Sequence, residues 1–238
     1  MKLFFTGCSF TYGDDLENPH LESWPALISR EKKLEFTNNA VSGGSNERIV
    51  YQIIKNINLY DKFYIAWSSI DRFTRYRQDN NFEINFNPAL SNSLYQGQHE
   101  FDAYGKLHYV YWHNNLYAFK IWLHQIILVQ SFLERKKKKY LMLNAFPNNI
   151  KRWSSDWKNF NNSVKSLLCF DKMNDQQLRE EHAEIQKTLL EINLDRFVEW
   201  SEWNISEFVE SFEKGSTGHP LQFGHQKIAD YIIKYDTN

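Results

Sequence analysis

Short apolar runs alternate with helical patterns along this chain, and the alternation limits the folds that it can adopt. The runs lie at residues 2–5, 34–36, 63–67 and 140–143. Each has the length of a buried strand, and the segments between them repeat apolar residues at helical spacing. Strands that alternate with helices form βαβ units with right-handed crossovers. The sequence therefore predicts an α/β domain with a parallel sheet.

Four segments carry the helical spacing. They are residues 24–31, a helix through Ile49, Ile53 and Ile57, a long amphipathic helix from Trp112 to Leu133, and a final helix beyond Phe223. The long helix ends in a run of basic residues, which complements the negative end of a helix dipole.

Two long stretches fall outside this pattern, at residues 73–111 and 145–191. Each follows a strand and leaves the carboxyl end of the sheet, where open α/β sheets bind ligands. Loops of this length are usually functional or contain structure of their own. We predict that both are insertions that wall a pocket, within one domain that covers residues 1–238.

The composition argues against several kinds of partner. The formal net charge is -1, whereas proteins that bind nucleic acid or anionic membranes are generally basic. No apolar run approaches the roughly 20 residues of a membrane helix, and the N-terminal apolar stretch is too short for a secretory signal. Cys8 and Cys169 are too few for a disulfide framework. We expect a cytoplasmic protein that binds neither nucleic acid nor a membrane; its oligomeric state stays open.

A serine follows the first predicted strand, in the sequence GCSFTYG at residues 7–13. At a turn from strand to helix, the hydroxyl of Ser9 would lie at the top of the sheet, beside free backbone N–H groups that favour an oxyanion. A serine that merely caps the helix explains the same pattern.

A histidine precedes the last predicted helix. His219 is followed by Pro220, which suits the first turn of a helix and fixes the chain beside the imidazole. A histidine at such a rim can act as a general base near neutral pH. His225 lies six residues further on, and we expect it to face solvent.

These two segments and a third resemble the sequence blocks of the SGNH, or GDSL-type, hydrolases. GCSFT at residues 7–11 resembles the first block, with Cys8 in place of the usual Asp, and NNAVSGGSN at residues 38–46 resembles the second. His219-Pro220, followed by Gly224, resembles the last block. The resemblance implies a three-layer α/β/α sandwich with a flavodoxin-like parallel sheet. It also implies a serine esterase that needs no cofactor and no metal.

The resemblance assigns roles to individual residues. Ser9 is the expected nucleophile, and its own N–H is one donor to the oxyanion. Gly43 is the expected second donor. His219 is expected to deprotonate Ser9 and later to protonate the leaving alcohol, because a serine hydroxyl is a weak nucleophile without an adjacent base.

The sequence departs from the family in two places. After the third strand the family has Gly-x-Asn-Asp, whose Asn donates to the oxyanion, but this chain reads WSSIDR at residues 67–72. Ser69, or else Ser68, is the expected replacement donor. The family also places an Asp three residues before the His, where this chain has Ser216. A backbone carbonyl, Glu213 or Asp71 would then orient the imidazole of His219, or the site is slow or inactive.

The remaining candidates concern substrate and metal. We assign Asn46, Asp71 and Arg72 to substrate binding. The histidines at positions 108, 113 and 124 lack the spacing of a metal motif. Trp112, Trp153 and Trp157 would either stack on sugar rings or pack in the core.

The sequence therefore favours an ester hydrolase that acts through an acyl-Ser9 intermediate on an acylated carbohydrate or another small ester. Two alternatives stay open because the expected Asn and Asp are missing. One is a weakly active or inactive module that binds a glycan or a protein, and the other is a sugar O-acyltransferase. Fold alone does not choose among them.

Overall fold

The computed structural model of the protein describes residues 1–76, 83–86, 104–165 and 174–236. Its strands are β1 (Lys2–Thr6), β2 (Glu35–Asn38), β3 (Lys62–Trp67), β4 (Phe73–Tyr76), β5 (Glu83–Phe86) and β6 (Lys139–Asn144). The central sheet has the order β2–β1–β3–β6, and all of its neighbours are parallel. The predicted parallel sheet is thus confirmed, and its strands match the predicted ones to within a few residues.

Helices cover both faces of this sheet. Their bounds are α1 (Ser9–Tyr12), α2 (Pro19–Glu22), α3 (Trp24–Lys32), α4 (Asn46–Asn56), α5 (Asn115–Arg135), α6 (Ile150–Trp153), α7 (Trp157–Lys165), α8 (Asp175–Leu189), α9 (Ile205–Phe208) and α10 (Gln222–Tyr235). A π-helical turn at His108–Trp112 precedes α5, and a 3-10 turn at Leu194–Arg196 follows α8.

Two apolar cores lie on opposite faces of the sheet because successive strand residues point to opposite sides. Phe4 and Ile65 contribute to the core beneath α4, α5 and α8. Leu3, Phe5 and Ala66 contribute to the core beneath α3 and α10. The protein is therefore a three-layer α/β/α sandwich, as the resemblance implies.

The two predicted insertions contain structure of their own. The described part of the first includes β4 and β5, which form an antiparallel hairpin, and the π-helical turn. The second contains α6, α7 and α8, and Trp153 on α6 is buried in the first core. Trp112 in the π-helical turn is instead 68% exposed. Residues 77–82, 87–103 and 166–173, and Cys169 with them, lie outside the described residues.

Helix α5 is long and apolar enough to cross a membrane, judged by length and composition alone. The expectation that no segment reaches this length was therefore wrong. In the fold, Leu116, Phe119 and Leu123 on α5 pack into the first core.

His225 is completely buried, so the expectation that it faces solvent was wrong. It lies on the same face of α10 as Ile228, Ala229 and Ile232, which pack against the sheet and α3. Its Nδ1 accepts a hydrogen bond from the N–H of Trp24 at 3.2 Å, at the beginning of α3. Burial lowers the pKa of His225 to about 3, so it is a neutral structural residue.

Candidate active site

Ser9 occupies the first position of α1, three residues after β1 ends at Thr6. The Cys8 carbonyl accepts hydrogen bonds from the N–H groups of Thr11 and Tyr12, each at 2.9 Å. Gly13 ends this short helix with a φ of 98°. In the part of the chain that the structure describes, neither the N–H nor the hydroxyl of Ser9 donates to a protein group. Among the described residues, the Ser9 N–H and hydroxyl are thus not engaged as donors.

The second loop of the site approaches the Ser9 turn so closely that glycine is required. A Cβ at Gly44 would lie 2.8 Å from the carbonyl oxygen of Gly7, which is backbone and has little room to move. Gly43 has a φ of 71°, in the left-handed region that favours glycine. Gly43 therefore directly precedes Gly44, the residue that packs against the backbone before Ser9.

Two buried amides hold the loop after β3. Asn46 accepts from the Ser68 N–H at 2.7 Å and donates to the Ser68 carbonyl at 3.1 Å. Asn148 donates to the same carbonyl at 3.0 Å and accepts from the Ile70 N–H at 3.1 Å. The amide of Asn46 therefore positions this loop, and its contact with a substrate stays a prediction. No motif marks Asn148, which the sequence analysis missed.

Ser69 and Asp71 lie beside a different histidine. The Ser69 hydroxyl donates to Asp71 Oδ2 at 3.3 Å, and Asp71 Oδ1 lies 3.0 Å from His113 Nε2. Burial lowers the pKa of His113, but its hydrogen bond to Asp71 and the charge of that carboxylate outweigh burial and raise the pKa overall. Asp71 is thus engaged with His113, and the role of Ser69 at an oxyanion stays a prediction.

Arg72 lies over an aromatic ring of the site. Its guanidinium carbon is 4.7 Å from the centre of the Phe146 ring, and its Nη1 donates to the Ser68 hydroxyl at 3.2 Å. Phe146 in turn packs edge-on against Phe10, at 5.5 Å between ring centres. Arg72 is therefore linked by ring contacts to the helix that carries Ser9.

His219 is oriented by Asp15, a carboxylate that the sequence analysis did not select. Asp15 Oδ2 accepts from the backbone N–H of His219 at 3.1 Å and from the Thr217 hydroxyl at 2.7 Å. The Thr217 oxygen lies 2.8 Å from His219 Nδ1. Because this hydroxyl donates to Asp15, we assign it as the acceptor for an Nδ1–H, which leaves Nε2 unprotonated. This tautomer is the one that a general base needs.

The loop at residues 215–219 folds around the same carboxylate. The Thr217 N–H donates to both Asp15 oxygens, at 3.2 and 3.0 Å, and the Ser216 hydroxyl lies 3.4 Å from Oδ1. A Cβ at Gly215 would lie 2.4 Å from that of Asp15. Ser216, which stands where the family has its Asp, thus adjoins the carboxylate that orients the imidazole. Among the described residues, neither Glu213 nor Asp71 hydrogen-bonds His219.

Burial and the neighbouring charges shift the pKa of His219, some upward and some downward. Burial lowers the pKa of His219, the carboxylates of Asp14 and Asp15 raise it, Arg72 lowers it, and the net shift is downward. The imidazole therefore stays neutral at pH 7. Burial raises the pKa of Asp15, but the hydrogen bonds from Thr217 and His219 outweigh it, so this pKa is lowered and the carboxylate is charged.

The fold brings the two ends of the chain into one site. The ring of Phe10, next to Ser9, lies 4.9 Å from the ring of His219 between centres. Within the described residues, Ser9 Oγ and His219 form no direct hydrogen bond. Hydrogen bonds between catalytic groups are often long before substrate binds. The described residues contain no group of three metal-ligating side chains.

Comparison with solved structures defines the class of fold. The chain is similar to a carbohydrate esterase whose active site is described as displaying divergent catalytic and non-catalytic binding functions, at 10% identity and a TM-score of 0.51, over 100% of this chain and 68% of that one. It is also similar to a member of the lipolytic G-D-S-L family from Veillonella parvula, at 13% identity and a TM-score of 0.44, over 98% and 97% of the two chains. An acetyl xylan esterase gives 11% identity and 0.46, over 98% of each chain. The first of these likenesses shows that the protein shares the α/β fold of that carbohydrate esterase.

The sequence itself gives a narrower assignment. The profile of a family of unknown function, DUF6071, matches residues 13–156, more than half of the chain. The chain belongs to this family. No curated protein matches it.

Proposed function

We propose that the protein is a serine-dependent ester hydrolase that acts on an acylated carbohydrate or another small ester. One observation carries the proposal: Asp15 and Thr217 fix the imidazole of His219 beside the helix that begins at Ser9. A base that is held in one tautomer next to a serine with free donors is the arrangement that acyl transfer requires.

The first step forms the acyl-enzyme. Ser9 Oγ attacks the carbonyl carbon of the ester while its proton passes to Nε2 of His219. The Ser9 and Gly43 N–H groups receive the negative charge of the tetrahedral intermediate, each contributing about 3–4 kcal/mol. The Ser69 hydroxyl is the third donor once it turns from Asp71 to the oxyanion. The C–O bond to the alcohol then breaks, and the alcohol leaves with the proton from His219.

The second step regenerates the enzyme. Water attacks the carbonyl of acyl-Ser9 and gives a proton to Nε2 of His219. The bond between the acyl carbon and Ser9 Oγ breaks, the acid is released, and His219 returns the proton to Ser9. Asp15 stays ionised and holds the imidazole through Thr217.

Hydrolysis of p-nitrophenyl acetate tests this function. Ser9→Ala removes the nucleophile and is expected to reduce the rate to the background of the ester in buffer. The matched control is Ser131→Ala, an exposed serine on α5, which should leave the rate unchanged. Equal rates for the parent protein and Ser9→Ala would contradict the proposal.

A binding module is the second candidate, and a specific observation favours it. The loop after β3, at residues 68–72, contains no Asn or Gln, and among the described residues Ser9 does not hydrogen-bond His219. A sugar O-acyltransferase uses the same Ser9 and His219 but passes the acyl group to a sugar hydroxyl. Product analysis with and without a sugar acceptor separates it from a hydrolase.

A further inference from the structure

A cavity of about 170 Å³ lies next to the proposed active site, between the segment after β3 and the first turns of α5. Arg72 lines this cavity, and the charge of Arg72 also acts on His219. Pockets that enclose a whole drug-sized ligand usually measure roughly 300–1,000 Å³. This cavity therefore fits one ring or one substituent of a substrate.

The acidic side chains of the cavity already have partners in the protein. Glu47 accepts from the Thr74 N–H at 3.1 Å and pairs with Arg75 at 3.3 Å. Asp71 Oδ1 lies 3.0 Å from His113 Nε2, and Asp71 Oδ2 accepts from the Ser69 hydroxyl at 3.3 Å. Both carboxylates are thus engaged within the protein.

Arg72 is a cation of the cavity that pairs with neither Glu47 nor Asp71. In the described part of the chain, no carboxylate lies within ion-pair distance of its guanidinium, and its Nε is buried without a hydrogen-bond partner. Arg72 thus lines the cavity without an ion-pair partner. The planar guanidinium group of an arginine matches a carboxylate with two parallel hydrogen bonds.

Aromatic rings stand at the mouth of the same cavity. Trp112 and Tyr117 line it and are 68% and 64% exposed. Asn114 and Gln125, also in its lining, supply amide groups. Exposed aromatic faces beside amides suit the apolar face and the hydroxyls of a sugar ring.

We propose that this cavity binds a carboxylate-bearing sugar, with the carboxylate on Arg72 and the ring beside Trp112. The substrate class is then an ester of an acidic carbohydrate, an inference that rests on the proposed hydrolase. The hydrogen bond to Ser68 and the contact with Phe146 hold the guanidinium, so the site selects for charge as well as for shape.

Binding of D-glucuronate and D-glucose to the full chain tests the proposal without any ester chemistry. The titration follows the indole N–H signal of Trp112 by NMR, in a Ser9→Ala background. Glucuronate should bind about tenfold or more tightly than glucose, because a charge-assisted hydrogen bond contributes about 1.5–3 kcal/mol. Arg72→Gln should remove this difference by weakening only glucuronate.

Two further variants control for charge and folding. Arg135→Gln removes an exposed cation at the end of α5 that does not line the cavity, and it should change glucuronate binding by less than about twofold. Arg72→Lys keeps the charge but loses the fork, and it should bind glucuronate with intermediate affinity. Equal binding of the two sugars, no binding of glucuronate, or full binding by a folded Arg72→Gln protein would each overturn the proposal. Because the binding assay uses the Ser9→Ala protein, its result does not depend on whether the parent protein hydrolyses esters.

Discussion

The carboxylate of Asp15 reaches the imidazole of His219 through the hydroxyl of Thr217. The two contacts measure 2.7 Å from Thr217 Oγ1 to Asp15 Oδ2 and 2.8 Å from Oγ1 to His219 Nδ1, whereas Asp15 Oδ2 lies 3.9 Å from Nδ1. Asp15 thus holds the imidazole through Thr217, and it also accepts a hydrogen bond from the backbone N–H of His219.

This relationship predicts the effect of replacing Thr217. Thr217→Val keeps the shape but removes the oxygen that fixes the tautomer, so kcat for p-nitrophenyl acetate should fall about 10²-fold, within the range for a misdirected general base. Thr217→Ser keeps the oxygen and should retain most of the activity. Equal losses in both variants would show that the hydroxyl does not orient His219.

The acid limb of the pH–rate profile is the second prediction. His219 must be neutral to accept a proton, and its pKa is lowered from 6.5. The neutral base therefore persists to lower pH, and kcat/KM for a neutral ester should decline with a midpoint below about 6.5.

Two variants test the sign of this pH effect. Arg72→Gln removes a cation that lowers the pKa of His219, so the midpoint should rise. Asp14→Asn removes a carboxylate that raises it, so the midpoint should fall. Shifts in the same direction, or a flat profile from pH 5 to 8, would contradict the role of His219.

The end of the sheet opposite the site yields a stability prediction. The side chain of Asp236 is 2% exposed, pairs with Lys62 and with Lys32, and accepts from the Tyr64 hydroxyl. Asp236→Asn leaves the buried charge of Lys62 without its partner and should lower the free energy of unfolding by about 3–5 kcal/mol. Denaturant unfolding measures this loss, and the exposed Asp230→Asn is the control. Equal unfolding midpoints would show that the pair is not needed.

The pH dependence of that stability follows from the pKa of Asp236. Burial raises this pKa, but the hydrogen bonds from Lys32, Lys62 and Tyr64 outweigh burial and lower it below 3.8. The contribution is therefore fully present above the unfolded value and is lost as the pH falls through the folded one. Asp236→Asn should accordingly flatten the acid side of the stability curve.

The glycines of the second loop provide a further prediction. Gly44→Ala places a Cβ 2.8 Å from the Gly7 carbonyl oxygen, whereas a Cβ at Gly218 meets nothing within 4 Å. Gly44→Ala should displace the turn before Ser9, lower stability by about 1–3 kcal/mol and reduce activity. Gly218→Ala carries only the cost of its positive φ, about 1–2 kcal/mol, and is the control for stability. The exposed Ser131→Ala, outside the site, is the control for kcat. Unchanged kcat in Gly44→Ala would contradict this account of the loop.

The strands and the two ends of the site were predictable because each has a local signature. Buried strands appear as apolar runs, and Ser9 and His219 lie in short motifs at the ends of elements. Asp15 was not predictable in this way, since it lies 204 residues from His219 and has a φ of 70°. The role of Asp15 depends on the loop that contains Gly215 and Ser216, which packs against its side chain and has room for no Cβ at position 215. No spacing rule in the sequence marks that contact.

His225 shows the opposite case, in which the local signal was present. Residues 225, 228, 229 and 232 have the spacing of one helix face, and the last three are apolar. A polar histidine on that face is buried here because the N–H of Trp24 gives its ring nitrogen a partner.

Covalent labelling of Ser9 tests the central claim most directly. A fluorophosphonate reacts with a serine only where a base and oxyanion donors activate it, and mass spectrometry of peptides locates the adduct. The account predicts one adduct, on Ser9, that is absent in Ser9→Ala and much slower to form in His219→Gln. No adduct on the native protein, or an adduct on another serine that persists in Ser9→Ala, would contradict it.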